Sequence, residues 1–251
     1  MKIAYTLVLF AALGVVGCQK PEREKTQLDI RITDAPGNFQ SVFLNIREII
    51  VKSEDGDKTL TVANKPFDIL NYTFGKDTLL SSASIPSGKI SQIRLVLHEE
   101  GNFVIVDNVK HDLKTPSGQQ SGIKLKINDV LISGEKAELN LDFDVAKSIV
   151  LTGSGKYTLK PVIRSFVKSM SGAICGDINP DDAFSQVFAI NATSDTVGTI
   201  SLKKGKFYIQ GLEPGDYSLL IQPSAGYSAK TIPNITVSAG KVRDLGQITV
   251  Q

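Results

Sequence analysis

Leu139-Asn140-Leu141-Asp142-Phe143-Asp144-Val145 decides the fold class. Apolar side chains at 139, 141, 143 and 145 alternate with polar ones at 140, 142 and 144. Successive side chains of a strand point to opposite faces, so this period of two predicts a half-buried β-strand. The same pattern recurs upstream. Leu28, Ile30 and Ile32 alternate with Asp29, Arg31 and Thr33; Val42, Leu44 and Ile46 alternate with Phe43, Asn45 and Arg47; Ile90, Ile93, Leu95 and Leu97 lie in a run that ends at His98. Turn-forming residues separate these runs: Ala35-Pro36-Gly37-Asn38, Asp55-Gly56, Pro86-Ser87-Gly88, Pro116-Ser117-Gly118, Ser133-Gly134 and Gly153-Ser154-Gly155. No long segment holds a helical period. A short helical turn is expected after Asp144, with its carboxylate as N-cap of Val145-Ala146-Lys147-Ser148. The expectation is an all-β chain, a sandwich or an open barrel.

The chain has 251 residues, 41% hydrophobic and 22% charged, with a formal net charge of +2. This length fits one or two domains, and the composition excludes a disordered polymer. A near-balance of charge argues against nucleic acid, whose phosphates demand a dense basic surface. Composition shifts near residues 166–172, and a second run of alternating segments follows: Ala173 to Ile178, Ala183 to Ala192, Thr199 to Lys203, Lys206 to Gln210, Tyr217 to Gln222, Ile232 to Val237 and Leu245 to Val250. The reading is two consecutive β-sandwich domains, 27–167 and 172–251.

The N-terminus carries a different signal. Lys2 precedes an apolar run from Ile3 to Val16, shorter than the ~20 residues of a membrane-spanning helix. It reads as a secretory signal peptide over residues 1–17. Val15-Val16-Gly17-Cys18 resembles the lipobox of bacterial lipoproteins. That resemblance implies a diacylglyceryl group on Cys18, which becomes the first mature residue. Residues 18–26 are polar and aperiodic and read as a flexible tether. Gln19 in place of Asp favours, by the sorting rule of enteric bacteria, the outer membrane. Two or more acyl chains anchor a protein stably where one does not. With Cys18 lipidated, Cys175 has no intrachain partner; it reads as a buried small side chain or, alternatively, a reactive thiol.

Two resemblances follow from longer motifs. Thr33-Asp34-Ala35-Pro36, Ile85-Pro86-Ser87-Gly88-Lys89-Ile90, Leu113-Lys114-Thr115-Pro116-Ser117-Gly118, Leu141 through Val150 and Tyr157-Thr158-Leu159-Lys160-Pro161-Val162-Ile163 occur in an order that resembles a family of bacterial lipoproteins known as domain of unknown function 4382. The family brings no established activity. Gly172 to Gly176, Gly205-Lys206-Phe207-Tyr208-Ile209-Gln210-Gly211-Leu212-Glu213-Pro214-Gly215-Asp216-Tyr217-Ser218-Leu219 and Val237-Ser238-Ala239-Gly240-Lys241 resemble the prealbumin-like module of carboxypeptidase regulatory-type domains. The chain departs from that pattern at Thr199 to Gly205, which lacks the usual Thr-Asp-x-x-Gly. Such modules are mostly spacers, and some relatives of the fold bind glycans.

Chemistry-bearing constellations are sparse. His98 and His111 are the two histidines, with no Gly-x-Ser-x-Gly elbow, so no catalytic residues are assigned and no enzyme is expected. Gly153-Ser154-Gly155-Lys156 lacks the flanking residues of a phosphate loop, with Val150 and Tyr157 in their place. Asp142 and Asp144 share one strand face and read either as a solvated face or as a Ca²⁺ or acid–base pair. Asp177, Asn179 and Asp181 are spaced like the start of a Ca²⁺ loop, but no Gly holds its sixth position and Phe188 stands where its closing Glu belongs. A polar turn is the favoured reading; low-affinity Ca²⁺ is the only cofactor considered besides the lipid. Tyr208 and Tyr227 are the aromatic candidates for stacking on a sugar, with Tyr72 and Phe74 in a loop-like stretch. The expectation is a non-enzymatic, lipid-anchored envelope protein that acts as a structural or binding module, its partners being the membrane and envelope proteins. The alternative is glycan capture or adhesion.

Overall fold

A computed structural model describes residues 24–35, 37–63, 65–115, 122–224 and 226–251, so the signal segment and Cys18 lie outside the described residues. The chain is all-β. In the first part the strands are β1 (Lys25–Ala35), β2 (Ser41–Leu44), β3 (Ile46–Ser53), β4 (Gly56–Thr61), β5 (Phe67–Asp68), β6 (Thr78–Pro86), β7 (Gly88–Leu97), β8 (Phe103–Val106), β9 (Val109–Asp112), β10 (Ile123–Leu131), β11 (Lys136–Asp144), β12 (Ile149–Leu151), β13 (Tyr157–Leu159) and β14 (Ile163–Val167). One helical turn, α1 (Val145–Ser148), follows β11. The second part holds β15 (Gly172–Asn179), β16 (Ser185–Asn191), β17 (Thr196–Ile200), β18 (Lys206–Leu212), β19 (Gly215–Pro223), β20 (Lys230–Val237) and β21 (Val242–Thr249).

Three four-stranded sheets build the first part, in the orders β14-β11-β1-β6, β10-β7-β3-β4 and β5-β2-β8-β9, with β12 and β13 as a separate ribbon. The second part is a sandwich of β18-β15-β21 on β17-β16-β19-β20. Each part has its own hydrophobic core. The first gathers residues such as Leu28, Ile30, Ile49, Ile93, Leu141 and Phe143; the second gathers Ile174, Val187, Phe207, Ile209, Leu219 and Ile235. Phe207 and Ile209 point inward and Tyr208 outward, as their alternation requires. Among the described residues no helix is long and apolar enough to cross a membrane.

β11 departs from its expected half-buried state. Leu139, Leu141 and Phe143 enter the core, but Asn140 (1% exposed) and Asp142 (3% exposed) on the opposite face are buried too. The reason is twofold. β11 is central, paired in parallel with β1 and antiparallel with β14, and the second part covers its outer face. Arg164 on β14 pairs with the Asp142 carboxylate and also donates to the Gln210 carbonyl on β18 (3.2 Å). The Gln210 amide donates to the Thr33 hydroxyl on β1 (2.8 Å). The Tyr208 ring lies 5.4 Å from that of Phe74, centroid to centroid, and a Cβ added to Gly75 would meet its Cζ at 2.9 Å. Lys168, between the parts, reaches Asp77 (3.2 Å), which also holds Arg31. A tightly packed contact of hydrogen bonds, ion pairs and rings therefore joins the two cores.

Candidate functional site

The C-terminal end of β1 and the start of α1 form one structural corner. Asp144 caps α1: its carboxylate accepts from the Lys147 N–H (3.0 Å) and pairs with the Lys147 ammonium (2.7 Å). Asp34, only 2% exposed, accepts from the Val145 N–H (3.2 Å) through Oδ1, while Oδ2 has no hydrogen-bond partner among the described residues. Burial pushes the Asp34 carboxyl well above the ordinary carboxylate range, and the nearby charges of Asp142, Asp144 and Asp68 push the same way against the Val145 hydrogen bond. Burial also raises Asp142, against the opposing pull of Arg164. Burial disfavours the ionised carboxyl here because no cation pairs with it among the described residues.

This corner shapes one wall of a cleft between the two parts. A Cβ added to Gly37 would meet Val145 Cγ1 at 2.9 Å and the Phe39 ring at 3.0 Å, so residues 37–39 lie closely against α1. The facing wall is the outer surface of β16 and β17. There Phe188 pairs across the strands with Gly198, and Gln186 with Ile200, while Val187 turns into the second core. Gly198 leaves room for the Phe188 ring, which an added Cβ would meet at 2.8 Å. The cleft has two chambers, of about 240 Å³ beside Ala146 and Lys147 and about 410 Å³ beside Asn38 and Phe39, and Gln186 and Ile200 line both. Phe184, 59% exposed, borders the larger chamber. Among the described residues that line the walls, the charged side chains are Asp144 and Lys147, which pair with each other. Such a cleft can hold a molecule by stacking and hydrogen bonding.

The residues singled out from sequence are dispersed. Asp142 and Asp144 do not act as a pair: one is buried against Arg164 and the other caps α1. Asp177 pairs with Lys206 (3.2 Å), Asn179 precedes a cis proline and accepts from Val250 N–H through its carbonyl (2.9 Å), and Asp181 is exposed. Among the described residues no group of three or more His, Cys, Asp or Glu is placed to hold a metal ion. Tyr208 is packed in the contact between the parts, and Tyr227 donates to Asp182 (2.9 Å). His111 packs on Tyr157 with ring centroids 4.8 Å apart, and the His98 N–H donates to the Asn45 carbonyl (2.8 Å). Cys175 is half-buried on β15; burial and the neighbouring Asp244 and Asp177 push its thiol up to about 11. Asp34 and the cleft escaped the sequence reading. Asp34 was visible only as part of Thr33-Asp34-Ala35-Pro36, and the cleft walls come from segments far apart in the chain.

Fold and site thus define an all-β protein with two hydrophobic cores and a small cleft between the parts that hold them. The chain belongs to the family described as domain of unknown function DUF4382, whose model matches residues 25–161. No curated protein matches it. Solved structures with limited similarity include the Bacillus anthracis TIE protein, at 12% identity over 90% of this chain and 34% of that one, with a TM-score of 0.25. A fimbrial protein from Bacteroides ovatus shows 8% identity over 90% of this chain and 50% of that one, TM-score 0.24. The major pilin subunit of Bacillus cereus shows 9% identity over 91% of this chain and 99% of that one, TM-score 0.25. The chain spans about a third of the length of the first of these and half of the second.

Proposed function

We propose that the chain is a non-enzymatic cell-envelope lipoprotein, anchored through Cys18 to the bacterial outer membrane, whose two β domains serve as a structural or binding module. The joined interface carries this reading. Arg164, Gln210, Thr33, Tyr208 and Phe74 tie the domains together through hydrogen bonds and ring packing, which suits a rigid spacer better than a hinged catalyst. The anchor rests on the sequence: Val15-Val16-Gly17-Cys18 follows an apolar run and precedes a polar tether. Replacing Cys18 by Ser tests it. The expected outcome is loss of lipid labelling and of the mature protein from washed membranes; unchanged labelling and fractionation contradict the anchor.

A second reading, glycan capture or adhesion, is favoured by one observation. The cleft walls combine exposed aromatic surface at Phe184 with the amides of Asn38 and Gln186, and the charged side chains among their described residues, Asp144 and Lys147, are paired. Retention on a broad glycan array supports this reading, and no retention contradicts it.

A further inference from the structure

We propose that the interdomain cleft is a binding site for a neutral oligosaccharide, with Phe184 as the stacking surface and Asn38 and Gln186 as hydrogen-bonding partners. This rests on the second reading above and moves the site away from Tyr208 and Tyr227. Three observations on the walls converge. First, Asp144 and Lys147, the charged side chains among the described lining residues, neutralise one another at 2.7 Å. Second, the Phe184 ring is 59% exposed at the border of the larger chamber, with Phe39 on the opposite wall. A pyranose ring presents a C–H-rich face that packs on an aromatic ring and an equator of hydroxyls that both donate and accept. Third, Asn38 and Gln186 supply amide groups of the same dual character beside that ring. Chambers of about 240 and 410 Å³ that share Gln186 and Ile200 give room for adjoining sugar units, and sites of roughly 300–1,000 Å³ are usual for small ligands.

An extended peptide added to the edge of β17 fits less well. β17 has five residues. The Ser201 N–H donates to the Ser185 carbonyl, and alternation along an antiparallel pair then turns the backbone groups of Thr196, Gly198 and Ile200 outward. Three residues are a short template for strand addition.

Asp34 acts here as a positioning residue, because it holds the N-terminus of α1 against the wall that carries Asn38 and Phe39. The test uses the full chain extracted from membranes in detergent, titrated calorimetrically with cellohexaose, mannohexaose and chitohexaose. Oligogalacturonate serves as the charged control. At least one neutral hexasaccharide is expected to bind at millimolar concentration or below. Phe184→Ala is expected to weaken it about tenfold, which corresponds to about 1.4 kcal/mol of lost stacking, and Gln186→Ala several-fold. Tyr227→Ala leaves affinity unchanged. Both cleft side chains are exposed, and an unaltered melting temperature verifies folding. Binding by none of the three sugars, binding unaffected by both cleft variants, or binding of an extended Thr/Ile-rich decapeptide in place of any sugar overturns the proposal. Membrane fractionation of the same preparations reports separately on the Cys18 anchor, so failure of the site leaves the anchored-module reading distinguishable.

Discussion

Asp34 carries a carboxyl buried to 2% exposure, with one oxygen that has no hydrogen-bond partner among the described residues. Asp34 keeps its proton more tightly in the folded state than in the unfolded one, chiefly because of burial. The unfolded chain therefore releases that proton at lower pH. Stability from this group is fully present below the unfolded value, about 3.9, and falls as pH rises through the window up to the raised folded value. Asp142 adds to the same slope. Asp29 opposes it. Burial pushes Asp29 up, but Lys136 and Ser82 outweigh burial and leave it lowered, so its contribution fades as pH falls. Asp34→Asn is expected to flatten the loss of stability as pH rises above the unfolded carboxylate value of about 3.9, while keeping an acceptor for the Val145 N–H. Asp34→Ala is expected to cost about 1 kcal/mol at acid pH through loss of that bond. Urea unfolding as a function of pH checks both, and an unchanged slope in Asp34→Asn contradicts the assignment. A second residue-scale outcome concerns Cys175. With its thiol pushed up to about 11, little thiolate exists near neutrality, and native protein is expected to react with iodoacetamide at pH 8 far more slowly than protein in urea. Equal rates contradict the burial argument.

Local chemistry was most legible at the scale of single elements. The alternation in Leu139 to Val145 identifies a strand, and Asp144 ends it by capping α1, as its position before Val145-Ala146-Lys147-Ser148 indicates. Removing that cap by Asp144→Ala is expected to lower stability by about 1 kcal/mol, measurable by chemical denaturation. The inward row Phe207, Ile209, Tyr217 and Leu219 was equally legible, because period two depends only on neighbours along a strand. The burial of Asn140 and Asp142 was not. It arises from Gln210 and Arg164, contacts that no local pattern encodes. The cleft was illegible for the same reason, since residues 37–39 meet residues 184–202 only in the folded molecule. Gly211 marks this long-range contact: it has φ +67°, and an added Cβ would collide with the Phe166 ring. Gly211→Ala is expected to destabilise the protein by strain at φ > 0 and by wedging β18 from β14.

At the scale of the molecule, two hydrophobic cores are coupled by one polar and aromatic contact. Arg164→Ala leaves the Asp142 carboxylate buried without its cation, a change that costs about 3 kcal/mol in comparable settings, and it removes a bond to Gln210. Calorimetry is expected to show a single transition in the native chain and two separated transitions in Arg164→Ala combined with Tyr208→Ala. Two transitions already in the native chain contradict strong coupling. The proposed lipid on Cys18 would fix one end of this joined pair at a membrane, so the proposed function turns on Cys18. The most direct test is intact-mass analysis of the protein purified from membranes of its native type of host. The account predicts a mature chain that begins at Cys18 and carries a diacylglyceryl mass on that residue. A chain recovered from the soluble fraction, cleaved elsewhere or bearing an unmodified Cys18, would contradict it.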